Sequence, residues 1–585
     1  MAHPDSAQQS WQRSAFLQQP VTRAGIGQLA RRLARFVYTH NPLYAASAWM
    51  VFRGLRASFD TAGGPFNTSL LTVSLAGYIL LLAITAYLVI RLGKVWDDAR
   101  SLLMLIVLMF LGLSVTFDSV LVDRPALGAV YSVGGWIFAA VISEVLLRGI
   151  QLRLGLLLRL PYHALLALFF LYPLGLAPLL GNPDSPVLQW LLFGFAPTGA
   201  AILLTLLPAI RRGPGYVEDN GSPWPWPAFP WTLFGMLGLC VSLRAYYLCL
   251  SLHFVGYADS IFGPYFLVPL GFAAALLLLE GGLTSRSDRV TRMALWLPAV
   301  MVALATLGHR NDRVYRGFLQ LFESDLGGSP LWVALLLGIG FYGFAVLRRV
   351  RYAGAALTSA MLLLAVVAPT TLDFDHLAAL RPLPLAVIGG AHLVVGLWQR
   401  LSWRVLLGNC LLLAALTVAL QGTRFTAAHG AVPVNLLLAN FLVVGFWFDD
   451  EVSRIVRRLG ALLAVALVWV VISANHAWLG DFDVWIRAFY PLLLAGTVAC
   501  YGWLLGDRWC QASALVSLGV SIVVFAARGY EQLRPLLIGL DQLSLGVLFF
   551  VLAALISLSK AGWLRLRLRP GPAPAAIDVG TPDGP

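Results

Sequence analysis

A chain of 585 residues with 59% hydrophobic residues, only 12% charged residues and a mean hydropathy of +0.79 is not a string of soluble domains. Its net charge of +13 comes from 41 basic residues that recur between apolar runs and form neither one face nor one tail, which excludes a nucleic-acid partner. The five cysteines, Cys240, Cys249, Cys410, Cys500 and Cys510, make no CxxC pair, so neither a disulfide framework nor a structural zinc site is indicated, and no cofactor or metal is expected.

In chain order, residues 1–40 form a cytoplasmic segment in which Ile26, Leu29, Leu33 and Val37 lie at helical spacing opposite Arg31, Arg32 and Arg35. That pattern predicts a basic amphipathic helix lying on the inner leaflet. Apolar runs of membrane-crossing length then begin near residues 41, 69, 100, 127, 161, 188, 231, 263, 293, 329, 353, 383, 403, 431, 459, 488, 511 and 541. This predicts an all-α polytopic bundle of about 18 transmembrane helices, because a span needs about 20 apolar residues. Runs such as Leu102 to Leu113 lack the period-two alternation of a barrel wall. The first run, Asn41 to Arg56, is short and carries Arg53 and Arg56. It reads either as a short span whose arginines snorkel or as an in-plane segment.

Dealing the loops alternately to two sides puts most of the arginines and lysines on the side of both termini, while the acidic residues divide evenly. That asymmetry predicts both termini in the cytoplasm, and the expected home is a bacterial cytoplasmic (inner) membrane. Residues 41–210 form the first group of spans and residues 211–230 a connection rich in Pro, Gly and Trp that forbids a continuous helix. Residues 231–560 form the second group, and residues 561–585 a Pro-, Gly- and Ala-rich tail expected to be disordered. The hairpins Trp332 to Pro369, Leu385 to Leu420 and Leu492 to Ala526 share a form that hints at an internal repeat.

Ionisable groups inside spans are few, and each is a functional candidate because burying charge in hydrocarbon is costly. Glu144 and Arg148 stand i,i+4 at the inner end of the fourth span, Glu280 lies at the inner end of the eighth, and Arg244 is the one charge predicted deep in a span. Arg244 reads as an anchor for an anionic substrate or as one half of a structural ion pair. Around the outer loops gather His253, His309, His376, His429 and His476, accompanied by Asp373, Asp375, Asp481 and Asp483, with Asp60, Asp118 and Asp123 also on that face. Such groups, if they converge, offer acid-base chemistry or metal ligation; otherwise they are interface residues. The candidate substrate-binding set is therefore Arg244, Asp373, Asp375, His376, His476, Asp481 and Asp483, with no catalytic residue assigned.

Ser143-Glu144-Val145-Leu146-Leu147-Arg148-Gly149 resembles part of the EExxxRG signature of the CAAX-processing membrane protease family. The resemblance covers seven residues, with Ser143 where that family has its first glutamate and no FxxxH element around Phe169 and Phe170. Glu144 and Arg148 are accordingly expected to form a helix-end ion pair. The favoured functional expectation is a transporter or lipid-flipping permease for an anionic or lipid-linked small substrate, with the lipid bilayer as partner. An integral-membrane transferase using an acidic and histidine-lined outer cavity, and a scaffold or sensor without turnover, are the alternatives. The oligomeric state is left open.

Overall fold

The computed structural model describes residues 65–94, 99–180, 185–218, 230–251, 260–307, 312–367, 381–420, 431–473, 484–535 and 540–560, together with Ser47, Trp49, Met50, Val51, Arg53 and Gly54. Helix is the only regular structure among these residues, as hydrocarbon demands of a chain that must satisfy its backbone internally. Among the described residues thirteen helices are long and apolar enough to cross a membrane, and four shorter apolar helices accompany them. The chain packs as two units, residues 1–384 and 385–585. The 211–230 connection lies inside the first unit, and the helices on either side of it pack together.

The first unit contains α1 (Pro65–Tyr87), α2 (Ala99–Asp123), α3 (Pro125–Gly149), α4 (Leu156–Leu176), α5 (Pro186–Leu204), α6 (Trp231–Ser251), α7 (Val268–Thr284), α8 (Asp288–Thr306), α9 (Arg313–Leu326), α10 (Pro330–Leu347) and α11 (Ala353–Val366). Short connections make sequence neighbours into packed antiparallel pairs, as in α2–α3, α3–α4, α7–α8 and α10–α11. Helix α6 packs against α2, α4 and α5, and α7 packs against α5, α8 and α10. Most expected span starts after the first fall close to the start of a described helix, whereas the run expected from about residue 459 belongs to a helix that already begins at Glu451. Of Asn41 to Arg56 only six residues are described, all helical, with the Arg53 guanidinium 5.4 Å from the Trp49 ring centroid. The amphipathic segment expected in 1–40 and the 561–585 tail lie outside the described residues.

Helix α9 has no counterpart among the expected spans. Tyr315, Phe318 and Phe322 form its buried stripe, with Arg316, Gln320 and Asp325 elsewhere around it, so its pattern is that of an amphipathic helix. The stripe seats on Trp190, Phe193, Tyr265 and Phe266, with Phe322 stacked on Trp190 at 5.7 Å, and Trp190 Nε1 donates to Asp325 at 2.8 Å. Burial holds the Glu323 carboxyl on this helix above the usual carboxylate range.

The second unit contains α12 (Pro382–Gln399), α13 (Ser402–Ala419), α14 (Ala431–Trp447), α15 (Glu451–Ser473), α16 (Val484–Leu505), α17 (Arg508–Leu533) and α18 (Leu540–Lys560). Its core of Leu438, Ala461, Ala464, Leu467, Val468, Leu494 and Val498 joins α14, α15 and α16. Polar ties cross between helices: Asn409 donates to Asn440 at 2.8 Å and Tyr490 to Asn435.

The turns after α3, α7, α10, α12 and α16 share one geometry. Each places a residue in the left-handed region, Gln151, Arg286, Arg349, Arg400 or Gly506, and the next amide reaches back five residues to a helical carbonyl at 2.9 to 3.0 Å. This is the six-to-one closure that satisfies otherwise orphaned helix-end carbonyls. Three of these five hairpins are those whose sequences share a form, so the repetition is one of turn geometry.

Asp450 precedes α15 and accepts the Ser453 amide at 2.9 Å and the Ser402 hydroxyl. Burial pushes its carboxyl up, but the bonds from Ser402 and Ser453 outweigh this and hold it below the ordinary aspartate range. Asp450→Ala should cost about 1 kcal/mol, the usual value of such a cap, read as a lower unfolding midpoint in detergent. Because the folded-state value is depressed, this contribution is fully present above the ordinary aspartate range and is lost as pH falls below that range through the depressed folded-state value. Acidification should therefore lower the midpoint of the parent more than that of Asp450→Asn.

Candidate functional site

The deepest charge of the sequence, Arg244, is 0% exposed in α6, seven residues before the helix ends at Ser251. Its guanidinium meets the Asp118 carboxylate of α2 through both oxygens, Nη1 to Oδ2 at 2.5 Å and Nη2 to Oδ1 at 2.8 Å. Nη2 also donates to the carbonyls of Ser114 at 3.3 Å and Phe169 at 3.5 Å, and the Ser251 hydroxyl donates to Asp118 at 2.9 Å. Asp118, expected on the outer face, is instead 1% exposed inside α2, because the long arginine side chain reaches it from the neighbouring helix. The arrangement is that of a two-pronged buried ion pair that ties α2, α4 and α6 together. Asp373, Asp375, His376, His476, Asp481 and Asp483 lie outside the described residues, as do His253, His309 and His429. Among the described residues no three His, Cys, Asp or Glu side chains are grouped to hold a metal ion.

In the first unit a groove of 1080 Å³ is walled by α5, α6, α7 and α8. Its lining is almost wholly apolar, with Leu203, Leu206, Phe234, Leu270, Leu277 and Met301 typical. The groove exists because small residues face it where side chains would otherwise fill the space. A Cβ built on Gly235 would meet nothing within 4 Å, and one on Gly281 would only touch Ile210 at 4.0 Å. Met301 lies over Gly271, where an added Cβ would collide with its sulfur.

Along α7 the lining runs from Leu270 to Thr284, about 21 Å at the helical rise and hence more than one leaflet of a hydrocarbon core about 30 Å thick. One end, at Ile210, Gly213, Pro214, Trp231, Thr284, Ser285 and Val290, carries the only hydroxyls of the lining besides Ser242. The arginines Arg211, Arg212, Arg286 and Arg289 interleave with those lining positions in the sequence, and all four are exposed. Beside this mouth Glu280, 1% exposed, accepts Arg348 at 2.9 Å and Arg211 at 3.5 Å, fixing the turns after α5 and α10 to the end of α7.

Glu144 of α3 does pair with Arg148, at 3.4 Å, but its nearer partners are on α4: Arg159 at 2.5 Å and His163 Nε2 at 2.8 Å. The sequence reading overlooks His163, although the mirror symmetry of a hairpin brings opposite each other two residues nearly equidistant from its turn. Ser143, where the resembling protease family has a glutamate, bonds the Tyr162 hydroxyl at 2.8 Å. Comparison with known proteins gives no relative to set beside this geometry: no family model, no curated protein and no solved structure matches the chain.

Proposed function

We propose that the chain binds an amphipathic lipid with an anionic head, its apolar part in the α5–α8 groove, and moves it between leaflets as a lipid-flipping permease. The observation that carries this reading is the groove itself. Its volume stands at the upper end of small-molecule sites, its wall is hydrocarbon-like, and its length exceeds one leaflet. A soluble metabolite would find almost no hydrogen-bond partner along it, whereas an acyl or polyprenyl chain needs none. The arginines bracketing one mouth supply positive charge where a phosphate or carboxylate head would sit. Arg244 takes no part as a substrate anchor in this reading, since both of its Nη groups are directed to Asp118 and to two carbonyls and the residue is fully buried.

The test is reconstitution of the full chain in vesicles that carry a head-labelled anionic phospholipid, with dithionite quenching the label exposed on the outside. Vesicles containing the protein should lose label from both leaflets, and protein-free vesicles from one. Equal protection in the two preparations contradicts the movement of lipid.

A further inference from the structure

A second cavity, of 470 Å³, lies at the α3–α4 turn and is separate from the groove in every lining residue. It is walled by Glu144, Leu147 and Arg148 at the end of α3, by Gln151, Leu152, Arg153 and Leu154 of the turn, and by Arg159 in the first turns of α4. Three arginines thus face one carboxylate. Glu144 pairs with Arg159 and His163 of α4 and, at 3.4 Å, with Arg148, so this one carboxylate offsets one of the three arginine charges and the lining remains net positive. A fourth arginine stands at the rim, since Arg91 donates to Gln151 Oε1 at 2.8 Å. The cup also lies against the N-terminal end of α4, a helix of 21 residues, whose dipole adds positive potential.

The basic side chains here are not spread along a solvated face but converge on a concave volume. Arg148 is 75% exposed and Arg159 42% exposed at the side chain, so donors remain accessible to a ligand. Gln151 holds the left-handed conformation that the closing turn requires, which fixes the cup floor between the two helices. Basic pockets at the ends of membrane helices on the arginine-rich side are suited to phosphate groups, for which guanidinium is the matching donor.

From this we infer that the α3–α4 cup is a binding site for a phosphate-bearing anion, either a lipid headgroup or a soluble organic phosphate. The inference does not rest on the lipid groove, because no residue is common to the two cavities.

The experiment uses the full chain and two probes. Pyrophosphate is titrated against protein in phosphatidylcholine nanodiscs at low salt, and retention of phosphatidic acid over phosphatidylcholine is measured in detergent by native mass spectrometry. The variants are R148Q/R153Q and R148K/R153K, both at exposed positions, so the helix core is untouched. Binding of at least one probe is expected, weakened about tenfold or more by the glutamine pair as charge-assisted contacts are lost and largely kept by the lysine pair. Pyrophosphate binding identifies a soluble phosphate as the source, and retention of phosphatidic acid alone identifies a headgroup. No preference for either probe, or a preference that the glutamine pair leaves unchanged, overturns the site. In G235L/G281L, in which the groove is filled, cup binding should be unaltered, so failure of the groove reading and failure of the cup are separately visible.

Discussion

Replacing Arg244 by methionine should cost the protein about 3 to 5 kcal/mol, because it leaves the carboxylate of Asp118 buried with, among the described residues, only the Ser251 hydroxyl as donor. The same magnitude is not expected of the pair as a whole. Taking two charges out of water offsets most of their attraction, so Arg244→Met combined with Asp118→Leu should regain most of the loss. A substrate anchor behaves differently: there the single variant folds normally and only activity disappears. Thermal unfolding in detergent, with folded yield from the membrane, separates the two. A single variant with the parent's midpoint, or a double variant no better than the single, contradicts a structural tie.

The second large effect is expected from filling the groove. Gly235→Leu and Gly281→Leu each extend a branched side chain into space that no described atom occupies within 4 Å of the new Cβ, or only at that limit. Leucine is also the better helix former, by somewhat under 1 kcal/mol relative to glycine, so the double variant should fold as well as the parent. Lipid movement in vesicles should fall at least tenfold, while Gly340→Leu, on α10 and with open space around its Cβ but outside the groove, should leave it intact. Equal loss in G235L/G281L and in Gly340→Leu would point to general disturbance of the helices, and no loss in G235L/G281L would remove the groove from the mechanism.

What the sequence disclosed follows from what a bilayer makes conspicuous. Apolar runs announce helices, so most helix starts were legible, from the run at residue 69 to the one at 541. Helix α9 was not, since its apolar residues occupy one stripe and its average polarity resembles that of a loop. Arg244 was legible as a charge out of place, but its partner was not, because Asp118 lies 126 positions earlier, near a span end, where sequence alone assigns it to the outer face. Glu144 and Arg148 were legible from i,i+4 spacing, whereas His163 required the register of two helices. The groove was the least legible feature, since glycines such as Gly235 and Gly281 signal it only by what they lack.

Whether a lipid chain occupies the α5–α8 groove is measured most directly by the site of capture of a phospholipid carrying a photoreactive group along one acyl chain. After illumination in membranes and digestion, crosslinked peptides should come from α6 around Phe234 to Ser242 and from α7 around Leu270 to Thr284, and G235L/G281L should abolish them. Crosslinks distributed over outward-facing helices such as α1 and α17, unaffected by the filled groove, would mean that the groove holds no lipid and that the proposed path does not exist.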